Sequence, residues 1–286
     1  MTSDLGRHLH TWEARAALAE ARAEAEARRA RRAERVAVDG PESLRALSAE
    51  LAEVHRRNEE RHRTAARMHR SLVQRAQLAG SPTSVGLLLA HAVADASRCP
   101  SSAIVLLADD GSTADFVGAD GLAEAAQDLE FVHDEGPLHS VCARGEARLL
   151  TGQDIQREWP HYGQDLAALG ISTVVAAPLR AGAAVLGAVG LFDPPSATLG
   201  GEELAAIAGG VTPVLLDHAD AEARPGGGAA LDGMRIIHQA AGFVASDVGC
   251  DVPAALALLR ARAFVCGEPA ATIAQRILDG ELHLSL

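Results

Sequence analysis

The chain has 286 residues, of which 48% are hydrophobic and 22% charged, a composition typical of globular proteins with one to three domains. Its formal net charge of −12 argues against a protein that binds nucleic acid over its whole surface, because such a surface would be basic. The charge still allows one local basic face. All 26 basic residues are arginine. No apolar run approaches the ~20 residues of a membrane span, and the polar N-terminus does not resemble a signal peptide, so we expect a cytoplasmic protein.

The charge is distributed unevenly along the chain. Residues 1–80 carry 16 arginines and 12 acidic residues, residues 81–224 carry 6 and 20, and residues 225–286 carry 4 and 6. Such asymmetry indicates separate modules. The Pro225–Gly228 segment has the composition of a flexible linker. We therefore predict a helical region at 1–80, a second domain at 81–223, a linker at 224–230 and a third domain at 231–286.

The first region is rich in helix-forming Ala, Glu and Arg from Leu5 to Arg35, and Gly40-Pro41 predicts a break before a second helix. Two arrangements remain open for these helices, a dimeric coiled coil and an intramolecular hairpin. The coiled coil is favoured by alternating a and d positions of a heptad repeat, with Asn58 at an a position. These positions are Leu44, Leu47, Leu51, Val54, Asn58, Arg61, Ala65, Met68 and Leu72.

The second domain alternates predicted strands and helices. Ser81 and Pro82 are expected to begin its first helix, and Asp109–Ser112 to form a turn between two strands. Antiparallel hairpins flanked by helices predict an α+β fold. The predicted helices cover 82–97, 137–144, 162–169 and 201–222, and the predicted strands cover 103–108, 114–117, 147–150, 172–179 and 184–192.

This domain resembles the bacterial GAF sensor domains. The resemblance rests on an ordered set of segments: Asp134–Leu138, Trp159-Pro160, Leu169–Thr173, Ala177–Arg180 and Leu186–Leu191. It implies a six-stranded antiparallel sheet with helices on both faces and a pocket for a small molecule. By the same resemblance, the residues lining that pocket are His139, Cys142, Trp159 and Tyr162.

No motif for catalysis or cofactor binding is found. The sequence has no G-x-S-x-G elbow, Walker loop or H-E-x-x-H helix, and its four cysteines form no C-x-x-C pair. We interpret Cys99, Cys142, Cys250 and Cys266 as small buried hydrophobic residues. We expect no enzyme activity, no metal and no cofactor, and in particular no haem ligand among His91, His133, His139, His161 and His218.

The third domain is predicted as three short helices at 231–246, 253–266 and 269–279, with Gly249 ending the first and Asp251 capping the second. Its sequence resembles the ANTAR domains, which are RNA-binding antitermination modules. The matching residues are Arg235, Ile237, Gln239, Ala240, Gly242, Ala254, Ala255, Leu258, Leu259, Arg260, Ile273, Ala274 and Ile277.

An RNA-binding helical unit needs cations for phosphates and polar groups for loop bases. The candidates are Arg235, Gln239, Arg260, Arg262 and Arg276. The sequence departs from the ANTAR pattern at Ala241, Gly267 and Pro269, where lysine or asparagine is usual. Two functions therefore remain open. One is a signal-responsive antiterminator that binds hairpin RNA, and the other is a protein-interaction or sensor scaffold without RNA affinity. Expected partners are RNA, a second copy bound through the N-terminal or GAF helices, and a small-molecule or protein signal.

Overall fold

The computed structural model describes residues 2–79, 84–108, 111, 113–195, 201–222 and 234–284. The predicted linker at 224–230, the predicted helix start at Ser81-Pro82 and most of the predicted turn at 109–112 lie outside the described residues. Within these ranges the protein is α+β, as predicted, with eleven helices and one antiparallel sheet.

The N-terminal region forms a hairpin of two long helices, α1 (Thr2–Asp39) and α2 (Glu42–Ala79). The predicted break at Gly40 is confirmed, and this turn favours glycine because an added Cβ would lie 2.4 Å from the Val36 carbonyl oxygen. The helices run antiparallel, as the ion pair between Arg56 and Glu34 and the His55–Glu26 contact of 2.6 Å show.

The hairpin does not use the predicted leucine heptad. The buried face of α1 is an alanine-rich stripe whose members are spaced three or four residues apart, and the α2 side chains that contact or pack near it include Ala52, His55 and Ala66. The apolar residues of the first heptads point away, with 44–64% of their surface exposed. We call these four residues the leucine stripe: Leu44, Leu47, Leu51 and Val54.

The second half of α2 belongs to the core of the next domain. Met68 and Leu72 are fully buried in one apolar cluster with Leu89 of helix α3 (Val85–Ser97) and Ile207 of helix α8 (Gly201–Glu222). The Arg75 guanidinium donates two hydrogen bonds of 2.7 and 2.8 Å to the Asp95 carboxylate on α3. The predicted boundary at residue 80 therefore separates two regions that share one core.

The sheet has five strands within the described residues, where the GAF resemblance implied six. They are β1 (Ser102–Leu107), β2 (Thr113–Gly118), β3 (Arg148–Thr151), β4 (Thr173–Ala181) and β5 (Ala184–Phe192). Their order is β2-β1-β5-β4-β3, and every neighbouring pair is antiparallel.

Helices cover both faces of this sheet, as the resemblance implied. Successive strand side chains point to opposite faces, so Val105 and Val174 enter one apolar cluster while Ile104 and Val175 enter the other. One face is covered by α2, α3 and α8. The other packs against α4 (Gly121–His133), α5 (Pro137–Arg144), α6 (Gly152–Glu158) and α7 (Pro160–Ala168).

Several predicted helix boundaries differ from the structure. The helix predicted from residue 82 begins at Val85, where the Ser84 side chain accepts a hydrogen bond of 3.1 Å from the Leu87 amide. The helix predicted at 162–169 begins earlier, at Pro160. Neither α4 nor α6 was predicted.

The C-terminal unit consists of α9 (Arg235–Val248), α10 (Val252–Cys266) and α11 (Ala270–Leu278), close to the three predicted helices. The predicted caps are confirmed, because Gly249 adopts a left-handed conformation and Asp251 accepts from the Ala254 amide at 2.8 Å. None of the helices in the described ranges is by itself long and apolar enough to cross a membrane.

Candidate functional site

A buried carboxylate lies at the centre of the second domain, predicted at 81–223, which we call the sensor-like domain for its resemblance to the GAF domains. Glu130 of α4 is turned inward, and its oxygens accept hydrogen bonds from the backbone amides of Leu138 and His139 at 3.0–3.2 Å. These amides belong to the first turn of α5 and have no partner within that helix. Glu130 therefore joins α4 to the start of α5, and the positive end of the α5 dipole faces its negative charge.

Gly136 makes this contact possible. Its φ of +151° lies in a region that other residues rarely adopt, and an added Cβ would lie 2.5 Å from Glu130 Cγ. The Glu135-Gly136-Pro137 segment quoted for the GAF resemblance thus has a local physical role in this chain. It brings the backbone of α5 against a side chain of α4.

Burial strongly affects the titration of this centre. It raises the pKa of Glu130 to about 7, although the bonds from His139 and Leu138 oppose the shift. Burial and the nearby Glu130 charge also raise the pKa of the Cys142 thiol to about 12 and that of Tyr162 well above its usual value. Cys142 therefore remains a protonated thiol, which does not suit it to act as a nucleophile.

The four residues assigned to a sensor pocket lie near this centre. Cys142, Trp159 and Tyr162 are all more than nine-tenths buried in one apolar cluster, and His139 is half-buried. The rings of Trp159 and Tyr162 meet edge to face, with centroids 6.4 Å apart. In this arrangement their side chains pack against one another, and their role as ligand contacts stays a prediction.

The cysteines and histidines do not gather into a site. Cys99 and Cys142 are buried as expected, whereas Cys250 and Cys266 are only half-buried. In the part of the chain that the structure describes, no three His, Cys, Asp or Glu side chains lie together in a group suited to a metal ion.

Hydrogen bonds from α9, from the residue before it and from α11 help to dock the C-terminal unit on the sensor-like domain. The Met234 amide donates to Asp115 at 2.8 Å, and the Ala270 amide at the start of α11 donates to Asp128 of α4 at 2.9 Å. His238 Nε2 lies 2.8 Å from the Ala114 carbonyl oxygen. Burial raises the pKa of Asp128 to about 6, although the Ala270 amide opposes the shift.

An apolar core continues across the same interface. Ile237, Leu259 and Ile273 of the C-terminal helices are fully buried in the cluster that contains Phe131 of α4. Ala241, where the ANTAR pattern usually has lysine, is also fully buried. A lysine at position 241 would have to bring its ammonium group through this packing to reach water.

Arg260 is held by the sensor-like domain. Its Nη1 lies 2.9 Å from Asp134 Oδ1, and its guanidinium lies 4.7 Å from the centre of the Phe131 ring. Only 21% of the Arg260 side chain is exposed. Arg260 is therefore engaged within the protein and does not face solvent as an unpaired cation.

The other predicted RNA contacts lie in different surroundings. Arg276 pairs with Glu268 at 2.9 Å, and Arg262 is half-buried, its Nε without a hydrogen-bond partner among the described residues. Arg235 and Gln239 are exposed on α9 and border the same surface depression of about 590 Å³ beside β1 and β2. The structure thus brings Arg235 and Gln239 to one surface, while Arg260 and Arg276 are each paired with a carboxylate.

Neither Glu130 nor Asp134 was identified from the sequence as a functional residue. Asp134 is the first residue of the GAF-like segment Asp134–Leu138. No protein-family model and no curated protein matches this chain.

Proposed function

We propose that the protein is a signal-responsive regulator with a GAF-like sensor domain and a C-terminal ANTAR-like unit that binds hairpin RNA and controls transcription termination. It would act in the cytoplasm, on RNA as it is transcribed. The observation that carries the proposal is the position of Arg260. A cation from the predicted RNA-binding unit is bound by an acidic residue and an aromatic ring of the sensor, so a change in the sensor can release or retain it.

A signal could pass from α5 to Arg260 through α4. This route is supported by the Leu138 amide on α5 and by the Glu130 and Asp134 carboxylates at the end of α4. Asp134 follows the last residue of α4, and Glu130 lies one turn earlier on the same helix. A small molecule or protein that shifts α5 would act on Glu130, and through α4 on the partner of Arg260. No enzymatic step is part of this proposal.

The alternative is a scaffold that keeps the three-helix fold without RNA affinity. Two observations favour it: Arg260 and Arg276 are already paired with carboxylates, and the position of the usual lysine is occupied by the buried Ala241. A scaffold would use the docked C-terminal unit to contact another protein, and would show no salt-sensitive affinity for RNA.

The two functions can be separated by selecting RNA from a pool of hairpins with the full-length chain and measuring the affinity for the selected RNA at different salt concentrations. For the antiterminator, we expect affinity to fall steeply between about 50 and 200 mM salt, because each phosphate contact releases a counterion. The double variant R260Q/R262Q should weaken binding evenly across RNA sequences and flatten the logarithmic salt dependence by up to about two. Replacing Gln239 should change sequence selectivity more than salt dependence.

A matched variant, R144Q/R157Q, removes two exposed arginines from the sensor-like domain and should leave both quantities unchanged. If the full-length chain selects no RNA, or if both double variants weaken binding equally, the scaffold is the better description.

A further inference from the structure

A basic groove of about 570 Å³ lies where α1, α2 and α8 meet, away from the sensor centre and from the C-terminal unit. Among the residues that the structure describes, its walls carry five arginine or histidine side chains and no acidic residue. The polar residues that line it are Arg15, Arg22, Asn58, Arg61, His62 and His69.

Two of these side chains have buried polar atoms without a partner. His69 is only 5% exposed, and its Nδ1 makes no hydrogen bond with any described residue. Arg15 uses Nη2 to contact Asp217 at 2.9 Å, but its buried Nη1 has no hydrogen-bond partner in the part of the chain that the structure describes. Buried polar groups are normally hydrogen-bonded. Two unpaired groups in a single groove therefore indicate that a bound molecule supplies their partners.

The cations at the rim also lack counter-charges. Neither Arg22 nor Arg61 forms an ion pair or a hydrogen bond with a described residue, although acidic side chains are frequent on both helices. Several other arginines of the hairpin are paired with carboxylates: Arg28–Glu24, Arg56–Glu34, Arg63–Glu59, Arg67–Glu60 and Arg70–Glu20.

The side of the groove formed by α8 includes two glycines, which have no side chains to fill it. Gly209 borders the groove, and a Cβ added there would contact nothing within 4 Å. At Gly210 an added Cβ would lie 2.6 Å from Met68 Cε and 3.7 Å from His69 Nε2. Gly210 thus allows α8 to approach Met68 of α2, and Gly209 borders open space in the groove.

We propose that this groove binds a small anionic molecule through its carboxylate or phosphate groups, with Arg15, Arg22 and Arg61 holding the charge and His69 supplying a hydrogen bond. Arginine suits this role because its planar guanidinium matches both groups in two-point contacts. Burial lowers the pKa of His69 to about 4, so its ring is neutral at physiological pH and offers one donor and one acceptor. The site lies between the hairpin and the sensor-like domain, and it is independent of RNA binding.

Calorimetric titration of the full-length chain with citrate and with inorganic phosphate at low ionic strength tests this site, with glucose as an uncharged probe. We expect saturable binding of at least one anion and none of glucose. The variant R22Q/R61Q should weaken anion binding at least tenfold, because it removes two charge-assisted contacts. The matched variant R28Q/R57Q removes one arginine from each of the same helices outside the groove, and should keep affinity within about twofold.

The proposal is wrong if neither anion binds saturably, or if both double variants lose affinity equally. It is also wrong if R22Q/R61Q changes the sedimentation of the protein and leaves anion binding intact, because the groove would then be a contact between copies of the chain. Both arginines are exposed, so the variants are expected to fold, and circular dichroism checks this.

Discussion

Arg260 of α10 and Asp134 at the end of α4 form an ion pair of 2.9 Å that joins the C-terminal unit to the sensor-like domain. The pair is unequal, because 65% of the Asp134 side chain is exposed but only 21% of the Arg260 side chain. Asp134 can therefore be neutralised without disturbing the core, whereas Arg260 also covers the ring of Phe131.

We expect Asp134→Asn to increase RNA affinity, because it removes the charge that competes with RNA phosphate for Arg260. Exposed ion pairs contribute up to about 1 kcal/mol, so the gain should be no more than about fivefold. Filter binding at low salt measures it. The matched variant Glu135→Gln removes a neighbouring acidic charge that makes no contact with Arg260. An equal gain from E135Q would show that only the overall charge matters.

The leucine stripe leads to a second prediction. Four apolar side chains at heptad spacing remain exposed on α2 after the hairpin has formed, and such a stripe is the usual dimer contact of a coiled coil. We therefore expect the full-length chain to be a dimer. Leu47→Lys combined with Leu51→Lys should convert it to a monomer, measured by sedimentation or light scattering.

The control for this prediction is Val38→Lys with Leu78→Lys. These residues are 72% and 76% exposed, and they lie outside the stripe. If both variants remain dimers, the stripe is not the interface, and α8 becomes the next candidate. Removing residues 1–80 would be a poor test, because Met68 and Leu72 belong to the core of the sensor-like domain.

The sequence predicted most elements of this fold but not how the hairpin packs. The leucine heptad is a stronger apolar pattern than the alanine and histidine positions at which α2 contacts or packs near α1. Alanine allows close approach of two helices, and α1 offers a long row of it from Ala16 to Ala33. The sequence could therefore indicate two pairing faces on α2 but could not assign one to the hairpin.

Helix α4 was missed for a related reason. Its start carries a recognisable signal, since Asp120 caps it by accepting from the Ala123 amide at 2.9 Å. Its buried face, however, places the polar residues Gln127 and Glu130 among two alanines and Phe131, so hydrophobic periodicity does not reveal it. The buried carboxylate is stabilised by α5, a contact that only the folded chain supplies.

Glu130 provides a prediction about pH. Its pKa in the folded protein is about 7, above the ordinary value of 4.5, so folding favours the protonated form. The stability that this group contributes is complete below pH 4.5 and is lost as the pH rises through 7. Glu130→Gln, which mimics the protonated carboxyl, should therefore reduce the fall in stability between about pH 5 and 7.5.

Urea unfolding of the natural chain and of E130Q at about pH 5 and pH 7.5 measures how much the free energy of unfolding falls in each protein. The comparison with E130Q is needed because two other groups also make stability depend on pH. Burial raises the pKa of Asp128 to about 6, which changes stability in the same direction as Glu130 does. The pKa of His69 is lowered to about 4, which changes stability in the opposite direction. Glu124→Gln alters an exposed residue of the same helix and should leave the pH dependence unchanged. If E130Q behaves like E124Q, Glu130 does not titrate in this range.

The contact between Gly136 and Glu130 gives the last prediction. Gly136→Ala should destabilise the protein by about 2 kcal/mol or more, because alanine is strained at a φ of +151° and its Cβ would overlap the Glu130 side chain. Gly121→Ala is the matched control, since an added Cβ there meets nothing within 4 Å. It should be neutral or slightly stabilising, by up to about 1 kcal/mol, given the higher helix propensity of alanine.

A double-mutant cycle separates the two causes. With Glu130→Ala in the background, the overlap disappears and only the backbone strain remains, so G136A should cost less than it does in the natural chain. Chemical denaturation of the four proteins gives the coupling free energy. If G136A lowers the free energy of unfolding equally in both backgrounds, glycine is needed at position 136 for its backbone conformation alone. The close approach of α5 to Glu130 would then not depend on the absence of a Cβ at this position.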